Sequence, residues 1–166
     1  MIYTYSPSSV SITLGGLYTL EGLYNGEFVT VTKEVVSADD LVALDGEVGR
    51  IMRKDNRYII NISLAQSSPS NNILTFLYNI DRELGIGKFP IYISEGTGTS
   101  GFLALEAWVV ELPQLAYNTD VTERKWTLKC SSGTLNIGGN GDTLSVENAL
   151  SSASSLLPLL KQYGLI

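Results

Sequence analysis

Alternating hydrophobic and polar positions predict that most of this chain is β-strand. Between Arg57 and Gln66, the residues Tyr58, Ile60, Ile62 and Leu64 fall on one face, which is the period of two that marks a half-buried strand. Similar patterns mark four further strands, over residues 8–14, 27–32, 102–112 and 121–130. The last of these is expected to turn Trp126, Leu128 and Cys130 toward the core, and Leu135–Ile137, after Gly133, is expected to return as a hairpin.

The alternation changes to helical spacing over residues 69–84. Ser68 suits the N-cap, Pro69 the first helical position and Gly85 the C-terminal stop. One amphipathic face is expected to pack against the side of the β-structure, and it consists of Ile73, Phe76, Leu77, Ile80 and Leu84. A second apolar helical face begins at Ser145 and predicts a short C-terminal helix that Pro158 ends or kinks. Nothing divides residues 1–166 into more than one domain.

Residues 33–57 differ from the rest because they hold 11 of the 28 charged residues. The charges are sorted by sign around a turn predicted at Asp45-Gly46, with Asp55 as the exception. The acidic group is Asp39, Asp40, Asp45 and Glu47, and the basic group is Arg50, Arg53 and Lys54. The segment is either a solvated surface hairpin or a protruding arm that docks on another subunit, since segregated charge orients an interface.

Composition excludes several functional classes. The net charge of −6 and the pI near 4.6 disfavour binding to nucleic acid, which requires cations to neutralise phosphates. The chain has no histidine and one cysteine, so histidine-based triads and zinc sites are excluded, and we expect no catalytic residue, cofactor or metal. Glu106 and Glu111 fall on opposite faces of one strand, which makes them a poor acid–base pair.

The sequence also lacks membrane and export signals. No apolar stretch approaches the ~20 residues of a membrane helix, and the first ten residues carry no secretory signal pattern. A lone cysteine permits no intrachain disulfide. We therefore expect a protein made inside the cell that does not associate with a membrane.

Several short runs resemble one family of phage proteins. They are YSPSSV at 5–10, DGEVGR at 45–50, ISLAQSSPSN at 62–71, GKFP at 87–90 and RKW at 124–126. Together they resemble the tail tube proteins of contractile-tailed bacteriophages and phage-like tailocins, over residues 3–140. The resemblance implies a single tail-tube domain, a β-barrel or β-sandwich with one flanking helix. It implies a structural protein whose hexameric rings stack into a tube inside a contractile sheath.

The resemblance also implies partners and a location. Expected partners are further copies of the chain, the sheath protein, the baseplate hub, the tail terminator and the tape measure protein, in a virion assembled in the host cytoplasm. DNA would pass through the tube without specific binding, and an acidic lining would repel its phosphates. Residues 33–57 stand where such proteins carry an inter-ring arm, which favours the arm interpretation. The alternative is a non-catalytic β-sandwich that binds carbohydrate or protein through surface tyrosines and Trp108.

Overall fold

The computed structural model describes residues 4–140, 158, 161 and 162 of the chain. The helical stretch predicted from Ser145 to residue 157 lies outside the described residues. Residues 10–136 form ten strands and one helix. In chain order these are β1 (Val10–Leu14), β2 (Tyr18–Thr19), β3 (Val29–Lys33), β4 (Ala38–Val42), β5 (Val48–Met52), β6 (Tyr58–Ala65), α1 (Ser70–Leu84), β7 (Phe89–Glu95), β8 (Gly101–Glu111), β9 (Glu123–Cys130) and β10 (Gly133–Asn136).

Eight of the strands form one antiparallel sheet, in the order β2-β1-β7-β8-β9-β6-β3, with β10 also paired to β8. Strands β4 and β5 form a separate two-stranded sheet. Val10 of β1 and Val31 of β3 pack against the same core although their strands lie near opposite ends of the large sheet. The sheet must therefore curl around that core. The mainly β fold with one helix, predicted from the sequence, is confirmed.

The core consists of alternate residues from neighbouring strands. Ile60 and Ile62 of β6 lie directly opposite Leu128 and Trp126 of β9, and all four are fully buried. Burying one such side chain contributes about 1.5–3 kcal/mol, and cross-strand pairs of this kind fix the register. The expectation that Trp126, Leu128 and Cys130 face inward is confirmed.

The predicted hairpin return after Gly133 is wrong. Strand β10 pairs with the first half of β8, whereas β9 pairs with its second half, so the chain bends at residues 131–132 instead of reversing. A Cβ at Gly133 would lie 2.6 Å from the Phe102 ring. The glycine therefore allows this ring to approach the bend closely, which is why a glycine occurs here without a chain reversal.

Helix α1 begins within one residue of the prediction and ends where predicted. The Ser68 hydroxyl accepts the backbone N–H of Ser70 at 3.2 Å, and Gly85 ends the helix at φ +68° with its N–H donated to the Asp81 carbonyl at 2.9 Å. The first turn is fixed to the segment that follows β2, because the Ser70 hydroxyl accepts the Glu21 N–H at 2.8 Å. The Trp126 indole N–H is donated to the Asn71 side-chain oxygen at 2.9 Å.

The predicted core face of α1 is rotated from the observed one by roughly a quarter-turn, taking 3.6 residues per turn. Leu74 is fully buried, and Leu77 and Tyr78 pack against the core. Of the predicted face, Leu77 is on the core side and Ile80 is half-buried, but Ile73, Phe76 and Leu84 are exposed. The prediction was wrong for these three residues. The polar anchors in the first turn, Ser70 and Asn71, set the rotation of the helix, and an apolar pattern does not reveal them.

Candidate assembly surfaces

Residues 34–57 form a hairpin that projects from the sheet between β3 and β6, and we call it the arm. Its turn is closed by the Ala43 N–H, donated to the Glu47 carbonyl at 2.8 Å, and by the Gly46 N–H, donated to the Ala43 carbonyl at 2.9 Å. Gly46 has φ +90°, which a residue with a side chain rarely adopts. The turn predicted at Asp45-Gly46 is confirmed.

Both faces of the arm carry exposed apolar side chains. Directly opposite residues of an antiparallel pair share a face, so the register assigns the side chains to two sets. One face holds Ala38, Asp40, Val42, Val48, Arg50 and Met52, and the other holds Asp39, Leu41, Gly49 and Ile51. Every residue from 40 to 54 is exposed. A two-stranded hairpin without a covering layer is at best marginally stable in water.

The charges predicted for the arm are partly paired within it. Arg53 forms an ion pair with Asp39 at 2.5 Å, and Arg50 lies opposite Asp40 across the two strands. Asp45 and Glu47 lie in the turn, where one Asp45 carboxylate oxygen accepts the Glu47 N–H at 3.1 Å. Neither carboxylate has an ion-pair partner among the described residues. Lys54 is exposed. The arm thus has a shaft in which opposite charges face each other and an acidic tip.

The base of the arm is tied to β9 by a charged network. Glu34 contacts Lys129 at 3.0 Å and Arg57 at 3.7 Å, and the Glu34 N–H is donated to the Arg57 carbonyl at 3.1 Å. Arg57 also binds Asp55 at 2.7 Å, and this hydrogen bond lowers the pKa of Asp55 to about 2. These contacts fix where the arm leaves the sheet.

A cleft of about 510 Å³ lies at the opposite end of β6 and β9. It is formed by the start of α1, the end of β9 nearest Glu123 and the segment 112–117. Arg124 lines the cleft and is only 7% exposed. One of its terminal nitrogens, Nη1, donates to the Ala116 carbonyl at 3.0 Å and to the Thr122 hydroxyl at 3.2 Å. Its guanidinium carbon lies 5.5 Å from the centre of the Tyr117 ring.

Arg124 is not among the residues that the sequence patterns predict to be functional. The signal was present, because an arginine shares the core-facing side of β9 with Trp126 and Leu128. A cation on a buried face usually has a partner or a binding role.

Cys130, the lone thiol, is fully buried, and burial raises its pKa above the ordinary value, so it is in the unreactive thiol form. In the part of the chain that the structure describes, no cluster of three or more metal-ligating side chains occurs. Among these residues, no helix has the length and apolarity that crossing a membrane requires.

The sequence is similar to that of a curated phage protein. The chain is 31% identical over 144 residues to structural protein ORF10 of Pseudomonas phage KPP10, a match that covers 82% of this chain and 83% of that protein. No protein-family model matches the chain.

The fold is similar to that of subunits in three solved assemblies. The anti-feeding prophage tube-terminating cap has a TM-score of 0.58 and 17% identity, with 82% of this chain and 93% of that chain covered. The sheath/tube terminator of the PVC extracellular contractile injection system has a TM-score of 0.58 and 13% identity, with 82% and 99% covered. A chain of the PVC sheath–tube complex has a TM-score of 0.57 and 14% identity, with 81% and 92% covered.

At 13–17% identity, the likeness to the solved structures establishes only the fold. The 31% identity to the phage protein establishes family membership. The chain belongs to the family of structural protein ORF10 of Pseudomonas phage KPP10, a family of phage structural proteins rather than enzymes.

Proposed function

We propose that this chain is the subunit of the inner tail tube of a contractile-tailed phage or tailocin. In this proposal hexameric rings of the chain stack into a hollow tube inside the sheath, and each subunit uses its arm to contact the next ring. The membership in a phage structural family and the fold shared with subunits of tube and sheath assemblies support this proposal. The single observation that carries it is the arm, which is exposed on both faces.

The arm supports assembly because it lacks a covering layer of its own. Apolar side chains on both faces are exposed, among them Leu41, Val42 and Val48. Exposed apolar patches of this kind mark interaction sites in soluble proteins. Its base, in contrast, is fixed to β9 through Glu34 and Lys129. An element that is anchored at its base and uncovered along its length is suited to contact with a neighbouring subunit.

The proposed tube would conduct DNA and the tape measure protein without binding DNA specifically. The net charge of −6 has the sign that repels phosphate, which would keep DNA mobile in a narrow channel. The same proposal places the chain in the virion, in contact with the sheath protein, the baseplate hub and the tail terminator, after assembly in the host cytoplasm.

A second candidate function is that of the tail terminator. It is favoured by the likeness to the anti-feeding prophage cap and to the PVC sheath/tube terminator, whose TM-scores of 0.58 are slightly above the 0.57 of the sheath–tube chain. The two functions differ in a measurable way. A tube subunit adds rings repeatedly in one direction, whereas a terminator forms one ring and stops.

Negative-stain electron microscopy of the purified chain tests the proposal. We expect tubes with a central channel and a broad distribution of lengths, while single rings of uniform height would identify a terminator. A monomer at every concentration, measured by analytical ultracentrifugation, would overturn both.

A matched control removes the arm and retains the fold. Replacing residues 35–56 with Asn-Gly joins Glu34 to Arg57, whose backbones already share a hydrogen bond of 3.1 Å. Asn-Gly is the preferred two-residue hairpin turn. We expect this variant to have an unchanged β-sheet circular dichroism spectrum and to form no tubes. Tubes of normal length from the armless variant would show that the arm is not the stacking element.

A further inference from the structure

Arg124 is almost buried but has hydrogen-bond donors that the protein does not use. A guanidinium has five N–H donors, and the hydrogen bonds of Arg124 to Gln114, Ala116 and Thr122 all come from one terminal nitrogen, Nη1. No carboxylate lies within 4 Å of Arg124 among the described residues. The donors on its other two nitrogens have no protein acceptor in the same part of the chain. A guanidinium with free donors on two nitrogens can bind a carboxylate through two parallel hydrogen bonds.

The cleft around this cation is lined partly by apolar side chains and partly by polar ones. Trp126 and Tyr117 line the cleft together with Leu112 and Leu115, and Tyr117 and Leu115 are among the more exposed large side chains of the protein. A ligand that fits the site therefore combines an apolar side chain with a nearby carboxylate. A ligand with carboxylates but no apolar side chain would leave Leu115 and Tyr117 exposed to water.

The tip of the arm has this combination. Leu44 is fully exposed, and it is followed in the turn by Asp45 and Glu47, whose carboxylates have no ion-pair partner among the described residues. One oxygen of Asp45 is engaged within the turn, which leaves the Glu47 carboxylate as the freer of the two acceptors.

The arm and the cleft lie at opposite ends of the same two strands. The arm joins β6 at Tyr58, whereas Arg124 pairs with Leu64 at the other end of that strand. Six residues at the rise of a strand place these points about 20 Å apart. A subunit with a projection at one end and a matching cavity at the other makes a heterologous contact that repeats in one direction.

We propose that the cleft around Arg124 receives the tip of the arm of a second copy of this chain. Leu44 of the arriving arm packs against the apolar wall, and its Glu47 carboxylate binds the free donors of Arg124. This inference rests on the proposed stacking function and specifies the surface on which the arm docks.

Disulfide trapping between copies tests the docking. The test protein carries Leu44→Cys with Leu115→Cys, which places one thiol at the arm tip and one on the cleft wall. The control carries Leu44→Cys with Leu105→Cys, because Leu105 is 72% exposed and Leu115 is 74% exposed. The native Cys130 is fully buried and stays unreactive in both. Assembled protein is oxidised mildly and analysed on a non-reducing gel.

The gel separates the possible outcomes. We expect a ladder of dimers, trimers and longer covalent chains from the cleft pair only, since every copy both donates an arm and receives one. Tubes without a ladder, or equal ladders from both pairs, would overturn the docking site and leave the tube function standing. Dimers alone would indicate a two-fold contact and would also overturn it. If the chain without these cysteine substitutions forms no polymer, both proposals fail.

The charge component has its own measurement. Glu47→Gln and Arg124→Gln should each raise the critical concentration for assembly about tenfold, the size expected for one charge-assisted hydrogen bond. The double variant should be no worse than Arg124→Gln alone, because both remove the same contact. Glu83→Gln, an exposed helix position, is the control. Additive effects of the two changes, at unchanged melting temperatures, would contradict the pairing.

Discussion

The rotation of α1 makes a quantitative prediction that opposes the one from sequence periodicity. Leu74 is fully buried, whereas Phe76 is 60% exposed, although periodicity alone places Phe76 on the core face and Leu74 beside it. We compare Leu74→Ala with Phe76→Ala in the armless variant, which is expected to form no tubes.

The expected magnitudes follow from burial. Truncation of a fully buried leucine removes its transfer free energy and leaves a cavity, which together cost about 2–5 kcal/mol. Phe76 is larger, but its side chain is largely in water already, so Phe76→Ala should cost less than about 1 kcal/mol. The two truncations should thus differ by at least about 1 kcal/mol in the free energy of unfolding.

Urea denaturation followed by tryptophan fluorescence measures both values, since Trp126 lies in the core next to the start of α1. The armless protein without further substitutions is the reference. Equal slopes of the unfolding free energy against urea concentration show that the variants expose the same amount of surface on unfolding. Equal losses, or a greater loss for Phe76→Ala, would refute the assigned rotation of the helix. In the chain that keeps its arm, Phe76→Ala should reduce assembly if its face contacts another subunit.

Three further predictions concern single sites. Hydrogen bonding to Arg57 lowers the pKa of Asp55 in the folded protein from 3.8 to about 2. The Asp55 carboxylate therefore stabilises the base of the arm above about pH 3.8, and this stabilisation is lost as the pH falls to about 2. An NMR titration of Asp55 should show the lowered midpoint, and Arg57→Gln should return it toward 3.8. Gly87→Ala should destabilise the fold by more than about 2 kcal/mol, since the added Cβ would lie 2.5 Å from a carbonyl oxygen of α1. Gly85 has open space around it and φ +68°, so Gly85→Ala should cost only about 1–2 kcal/mol. Thermal melting of the two variants measures both values. Cys130 should react with a thiol reagent only at the rate of unfolding, and rapid labelling of the native protein would contradict its burial.

Strands β6, β8 and β9 were predictable because alternate residues along them are buried. The alternation through β6 and β9 gave both the elements and the inward residues, such as Ile62 and Trp126. The arm was predictable because its charges and the Asp45-Gly46 turn are local features. The structure of such elements is determined by residues that are close together in the sequence, so the sequence pattern is enough to predict them.

Three features were not predictable because their causes are contacts distant in sequence. The rotation of α1 depends on Ser70 and Glu21, which meet only in the folded chain. The bend after β9 depends on the Phe102 ring above Gly133. The burial of Arg124 depends on the segment 112–117 that forms its cleft, and a single strand pattern does not specify which loop covers it.

The pairing of charges within the arm also changes the interpretation of its sign-sorted sequence. Sign-sorted residues suggested a strongly polar docking surface. In the structure Arg53 neutralises Asp39 and Arg50 lies opposite Asp40 in the shaft, whereas the tip carboxylates of Asp45 and Glu47 have no ion-pair partner and face no basic residue across the strands among the described residues. Apolar contact along the shaft and charge at the tip therefore have separate roles in the proposed interface.

A cryo-EM reconstruction of the polymer formed by the purified chain tests the central claim most directly. The account predicts a hollow tube of stacked rings in which residues 38–52 of each subunit are covered by the next ring. A polymer without a channel, or a tube in which these residues stay exposed to solvent, would contradict it.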